Sequence, residues 1–450
     1  MLNQKKIIII IKKIKTISRN PEDYTRERSQ DIVRAHRNLD PNLHPFEKAR
    51  EYTRALNATK LERLFSKPFL GSLTGHIDGV YSLAKHPTHL TSILSGSADG
   101  ELRLWNLSSK KTVWSAQAHK GFVKGISWVP FSQNFVTVGE DKTVKLWDRN
   151  EEEPLNIYLS KDVFNGVDHH RSQNVFATAS SDIQIWDHSR AEPIQTFTWG
   201  AETITTVKFN QTEVSILASA GTDRTITLYD LRTSSPLAKC ILALRSNAIS
   251  WNPMEAFNFA VANEDHNCYI YDMRNLKMAS NILKDHVSAV LDVDYSPTGE
   301  EIVTGSYDRS IRIFNAREGH SRDIYHTKRM QRIFCVKFSM DSKYILSGSD
   351  DANIRLWRAN AWERFGPQSS RERNAIAYSK KLKEKYKHMP EIRRIDKHRN
   401  IPKAISTASK TKRIQIESIK RKEDNLRKHS KKGTVPYVPE RKKNFVTLQK

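Results

Sequence analysis

The chain has little cysteine and no long apolar run. Its three cysteines, Cys240, Cys268 and Cys335, lie far apart and never form a C-x-x-C pair. Neither a disulfide framework nor a zinc site is expected, and a reducing compartment is the default. No stretch approaches the ~20 apolar residues that span a bilayer. The one apolar run with a basic flank, KKIIIIIKK at residues 5–13, holds five isoleucines before two lysines end it. A secretory signal needs a core of ~7–15 residues, so residues 1–12 read as a low-complexity extension. Chemical signatures are also missing. There is no G-x-S-x-G elbow and no G-x-x-x-x-G-K-[ST] phosphate loop. His169-His170 is a neighbouring pair without a third ligand at recognisable spacing. The expectation is a soluble intracellular protein, not an enzyme, with no metal, cofactor, small-molecule substrate or membrane partner.

What is abundant is positive charge, unevenly placed. Of 450 residues, 38% are hydrophobic and 28% charged, with a formal net charge of +24. Residues 1–66 hold 15 Lys/Arg against 8 Asp/Glu, and residues 359–450 hold 27 against 9. The middle, 67–358, holds 32 against 33 and is electrically balanced. A neutral body with two cationic extremities points to a polyanionic partner for the extremities.

The body is a repeat. Strands such as LRLWN (102–106), VKLWD (144–148) and IRIFN (311–315) end on the aromatics Trp105, Trp147, Trp186, Tyr229, Tyr271, Phe314 and Trp357, separated by 42, 39, 43, 42, 43 and 43 residues. An Asp stands six residues before the aromatic in six units, at Asp99, Asp141, Asp223, Asp265, Asp308 and Asp351; in the shortened third unit Asp182 stands four before. A period of about 40–45 residues with a W-D ending marks a WD40 β-propeller, four short strands to a blade. Alternation buries one face of each blade against its neighbour, and the aromatic fills the wedge between them. The Asp caps a tight turn by accepting backbone N–H groups.

The fold class is therefore all-β: a seven-bladed WD40 propeller over 68–358, with an N-terminal arm (13–67) and a basic helical tail (359–450). His76, His119 and His286 stand 28 or 29 residues before their aromatics. The WD40 likeness implies that such a His joins the turn Asp, a strand Ser or Thr and the Trp in a buried network. Recurrence around a ring makes these residues structural rather than a hydrolase triad, since a buried polar group without partners costs ~1–3 kcal/mol. After Trp357 the last blade lacks an outer strand, and PFLGSL (68–73) precedes the first blade with nothing to pair to. Joining them closes the ring and removes two edges.

The extremities differ in kind. Serines at 369–370, then Ile376, Leu382 and Tyr386 among lysines, then Pro390, predict a basic helix; a second follows Pro402, with Ile405, Ile414, Ile416, Ile419 and Leu426 unevenly spaced. The tail has too little apolar surface to fold alone and is expected to order against a partner. Its charge suits phosphate contacts, and without an RNP-type aromatic motif recognition would be of backbone and shape. The candidate RNA contacts are Lys380, Lys381, Lys383, Lys385, Arg393, Arg394, Lys397, Arg399, Lys412, Arg413, Lys420, Arg421, Lys422, Arg427 and Lys428. The front arm mixes charge with Tyr24, Phe46, Tyr52 and Phe65, as in peptides that lie across a surface of their own propeller or of another protein.

Several stretches go beyond the repeat. KIKTISRNPEDY, HPFEKAREYTRALNATKLERLFSKPFL, DHVSAVLDVDYSPTGEEIVTGSYDRSIRIF, YHTKRMQRIFCVKF and KLKEKYKHMPEIRRIDKHRNIPK together resemble the WD-repeat and Sof-domain family, from about Lys13 to the carboxyl end. The resemblance implies a Sof domain at about 357–443 and a nuclear, nucleolar role in the small-subunit processome. There such proteins associate with the U3 small nucleolar ribonucleoprotein, other processome proteins and pre-ribosomal RNA, and support 18S rRNA maturation. It also implies an alternative, since some members are substrate receptors of cullin–RING ubiquitin ligases through the damaged-DNA-binding adaptor. Their signature is an Arg two residues beyond the closing Asp. ITLYDLR and YIYDMR place Arg232 and Arg274 in that register, with Tyr for Trp.

Overall fold

The computed structural model describes residues 40–43, 45–199, 202–233, 235–363 and 366–449. The extension at 1–12 and the arm through residue 39, with Tyr24, lie outside the described residues. The chain forms two compact units: the described residues up to Lys67 with Asn360–His398, and Pro68–Ala359 with the chain from Arg399 onward.

In the larger unit the alternating segments form seven antiparallel sheets, six of four strands and one of five. Each closing aromatic lies in the third strand of its blade and is at most 2% exposed. Trp147 shows the wedge it fills. It stacks on Phe135 of its own blade and meets Trp114 of the preceding blade edge-on at 5.9 Å. Trp186 meets Tyr158 of the blade before it at 5.7 Å with the rings tilted, and Trp357 stacks on Tyr325 at 5.5 Å.

Under these aromatics run rows of hydrogen bonds. In blade 2, Trp147 Nε1–H donates to Thr137 Oγ1 at 3.0 Å. The Thr137 hydroxyl then donates to His119 Nε2 at 2.9 Å, and His119 Nδ1–H donates to Asp141 at 2.9 Å. Each donor fixes the next group's orientation, and so the His119 tautomer. Burial lowers the His119 pKa and keeps the ring neutral. Blade 6 repeats the row from Thr304 through His286 to Asp308 at 2.7 and 2.9 Å, but Phe314 supplies no N–H. Burial alone would raise the Asp308 pKa; bonds from His286 and Ser310 hold it well below the carboxylate range.

Blade 1 departs from the implied network. Trp105 Nε1–H donates to Ser95 Oγ at 2.8 Å and Ser95 Oγ meets His76 Nε2 at 2.6 Å as expected, but His76 Nδ1 turns to Glu101 at 3.2 Å rather than to Asp99. Asp99 is left its turn-capping role, accepting Glu101 N–H at 3.1 Å. Asp223 and Asp265 cap Thr225 and Asn267 in the same way. Asp351 is held by Arg355 and Ser349. A glutamate two residues on has the extra reach to take over a buried imidazole, which spacing alone does not reveal.

The ring closes as the unpaired edges require. Phe69–Thr74 runs antiparallel to Asn353–Arg358, with Leu73 opposite Ile354. Leu73, 1% exposed, joins a core with Val80 and Leu83 of the first blade and Leu346 and Ile354 of the last. Leu73→Ala is expected to lower stability by about 2–5 kcal/mol in equilibrium urea unfolding. An unchanged midpoint would mean that this strand does not carry the closure.

The smaller unit holds helices α1 (Glu47–Leu64), α2 (Ser370–Lys385) and α3 (Pro390–Lys397). Ser369 and Glu372 form a reciprocal capping box that starts α2, and Pro390 sits at the first turn of α3. Ala55, Leu382 and Ile392 are buried together, with Tyr52, Leu56, Tyr378 and Tyr386 around them. The apolar surface that this part of the tail lacks is supplied by the front arm, so the partner it orders against is its own chain.

Candidate interaction surfaces

The tail continues in the larger unit as helix α4 (Lys403–His429), which has no buried residue. One of its side chains bonds the propeller directly. Lys412 Nζ–H donates to the His286 carbonyl at 2.9 Å. Burial lowers the Lys412 pKa, while Asp265, Asp285 and Asp308 oppose that shift. The ammonium thus sits over the turn carboxylates of blades 5 and 6. Beyond α4 the chain makes one short turn, Glu440–Lys443, and then the strand Phe445–Gln449. That strand pairs antiparallel with the outer strand of blade 4, Cys240 opposite Leu448. Phe445 and Leu448 pack on the core of blades 4 and 5. The sequence reading did not include this strand; its only signal is the β-prone FVTLQ itself.

These contacts sort the basic residues. Lys383 pairs with Glu62, and Lys385 with Glu51 at 2.6 Å, both within the helical unit. Arg399 lies 3.7 Å from Asp323, Arg413 pairs with Glu417 at 2.8 Å, and Arg427 pairs with Asp424 and covers the Tyr437 ring. Lys412 is taken by the propeller. Lys385 and Arg413 remain exposed though paired. The other candidates are also exposed: Lys380, Lys381, Arg393, Arg394 and Lys397 on α2 and α3, and Lys420, Arg421, Lys422 and Lys428 on α4. None of these has a carboxylate ion-pair partner among the described residues.

Arg232 and Arg274 stand at equivalent corners of adjacent blades, just past the third strands Thr225–Asp230 and Cys268–Asp272. Both are exposed. Each backbone N–H donates to its Asp at 3.0 Å, so the Asp builds the turn that projects the Arg. The Arg274 guanidinium also pairs with Asp272 at 2.7 Å and lies 4.3 Å from the centre of the Phe257 ring.

His169 and His170 have local roles. His169 Nδ1–H donates to the His170 carbonyl at 2.6 Å, and its Nε2 meets His188 Nε2 at 3.0 Å. His170 Nδ1 accepts the backbone N–H groups of Ser172 and Gln173. No cluster of three or more potential metal ligands occurs among the described residues.

Comparison with known proteins joins the wheel to the tail. The Sof1-like domain family matches residues 359–445. The WD domain, G-beta repeat, matches 67–106, 110–148 and 319–358, and the NUP159/214 β-propeller matches 184–331. Protein SOF1 of Saccharomyces cerevisiae is 52% identical over 463 residues, covering 96% of this chain and 94% of its own length. The chain belongs to the WD-repeat and Sof-domain family. The DDB1- and CUL4-associated factor 13 of Homo sapiens is 54% identical, covering 97% of this chain and 100% of that protein. The Xenopus laevis protein of the same name is 52% identical over 97% of this chain and 99% of its own. In this family member the Sof1-like segment is divided at His398 between the two compact units.

If Lys412 fixes α4 to the wheel, Lys412→Met should raise amide hydrogen exchange along α4 by about tenfold to a hundredfold, the loss of one charge-assisted bond of about 1.5–3 kcal/mol. Unaltered exchange would show the helix to be held elsewhere.

Proposed function

We propose that the chain is a non-enzymatic scaffold of the nucleolar small-subunit processome. In this reading it supports 18S rRNA maturation with the U3 small nucleolar ribonucleoprotein, and its basic tail contacts RNA. The observation that carries this reading is the contrast between a balanced propeller and a tail nine of whose fifteen candidate cations stand exposed on folded helices with no carboxylate ion-pair partner among the described residues. Helices that hold lysines and arginines in fixed rows suit a phosphate backbone, and counterion release supplies affinity without base readout. The likeness to Protein SOF1 supports a role in ribosome biogenesis. Recognition by shape and charge fits the absence of an RNP-type aromatic motif.

The test is charge reversal at Lys420→Glu, Arg421→Glu and Lys422→Glu, with an independent nuclear-import signal added. Loss of three phosphate contacts should lower the slope of log affinity against log salt by about 2. Sedimentation with pre-ribosomal particles should weaken in parallel. Full co-sedimentation of the reversed variant would contradict tail–RNA contact and leave these lysines to nuclear import.

A second reading is favoured by Arg232 and Arg274, two exposed arginines at matching corners of adjacent blades, and by relatives named DDB1- and CUL4-associated factor 13. In it the propeller is a substrate receptor of a cullin–RING ubiquitin ligase, held by the damaged-DNA-binding adaptor. The Arg274–Asp272 pair is exposed and worth little to stability, so Arg232→Ala with Arg274→Ala should leave the melting temperature unchanged. Adaptor pull-down should fall at least tenfold; undiminished pull-down would remove the reading. The two roles are compatible, because their residues do not overlap.

A further inference from the structure

Helix α4 outruns the surface that seats it. At 100° per residue, Ile405, Ala408 and Lys412 share one face, and all three are half-buried. The same face continues through Ile416, Ile419 and Leu426, which are 50%, 56% and 59% exposed. Glu423, also on this side, is neutralised by Lys443 at 2.9 Å. Just beyond the helix, Tyr437 and Val438 are 68% and 44% exposed. Single exposed leucines need no explanation, but aliphatics at i, i+3 and i+10 along one face, continuous with a seated face, make an interaction surface.

The occupant follows from chemistry. RNA covers a row of aliphatic side chains poorly, because its bases stack chiefly on aromatic rings and guanidinium planes and its sugar-phosphate backbone is polar. The helix carries nine Lys/Arg against three Asp/Glu. By the same 100° arithmetic Lys420 and Lys422 flank the aliphatic face, one on each side. The front arm has the wrong sign, with ten Lys/Arg against four Asp/Glu in residues 1–39. We propose that Ile416, Ile419 and Leu426 dock an acidic amphipathic helix of another protein, whose Leu or Ile residues cover this face while its carboxylates meet Lys420 and Lys422.

The experiment places photoreactive benzoyl-phenylalanine at position 419 of the full chain and irradiates purified pre-ribosomal particles. The expected adduct is a peptide of another protein with net negative charge and Leu or Ile at helical spacing. A synthetic copy of that peptide, followed by fluorescence anisotropy, should bind the full chain. Binding should be at least tenfold weaker to the Ile416→Ser, Ile419→Ser, Leu426→Ser variant, whose RNA crosslinking stays intact. An unchanged melting temperature and helical circular dichroism show that the variant is folded, and intact crosslinking separates this surface from the RNA reading. Adducts to RNA alone, to residues 1–39 or to a basic peptide would overturn the proposal. So would no adduct at all, or equal binding of the triple variant.

Discussion

Everything in this molecule depends on closing a sheet edge. Seven blades leave the last one short of an outer strand, and the chain supplies it from Phe69–Thr74, before the first blade. An open wheel would expose two unpaired edges. Closure also fixes where the chain enters and leaves. Arg358 N–H donates to the Pro68 carbonyl at 2.8 Å in the larger unit, and Lys67 N–H to the Ala361 carbonyl at 2.9 Å in the smaller. Each bond joins residues nearly 300 apart in sequence within its own unit. Helices α1, α2 and α3 can then assemble around Ala55, Leu382 and Ile392. None of the three has enough apolar surface to hold alone, but together they bury a small core edged by ion pairs.

Polar chemistry inside the wheel serves the frame. The rows from Trp147 to Asp141 and from Thr304 to Asp308 satisfy every buried donor in turn. Their components vary from blade to blade: Glu101 replaces an aspartate, Phe314 a tryptophan, and Arg355 serves where no His is present. What persists along these rows is the pairing of each polar group with its neighbour rather than any one residue set. The chemistry that faces outward is cationic and sits on helices. The frame itself consumes part of it, through Lys383, Lys385 and Lys412.

Much of this was legible in the residues. The aromatic period counted seven blades, the unpaired PFLGSL found its edge, and Ser369 and Pro402 marked helix starts to within a residue; Pro390, read as closing the first basic helix, instead opens α3, the first basic helix having ended at Lys385. Local signals carried those features. Long-range associations outside the ring of blades were not legible. The meeting of Tyr52 with Tyr386 depends on so few apolar residues that no periodicity announces it. The fifth strand of blade 4 is five residues long. Lys412 looks like any lysine in its run until the helix is seated over blades 5 and 6. The sequence therefore nominated fifteen basic candidates, and only the fold sorted the exposed from the committed.

The measurement that tests this account most directly is residue-resolved crosslinking of RNA to the full chain in purified small-subunit precursors. Adducts should concentrate on the exposed rows, Lys380, Lys381, Arg393, Arg394, Lys397 and Lys420 to Lys422, and be absent from Lys412, Lys383 and Lys385. Adducts centred on the neutral propeller, or on the three lysines bound into the frame, would contradict the division between a balanced wheel and a cationic tail displayed on helices.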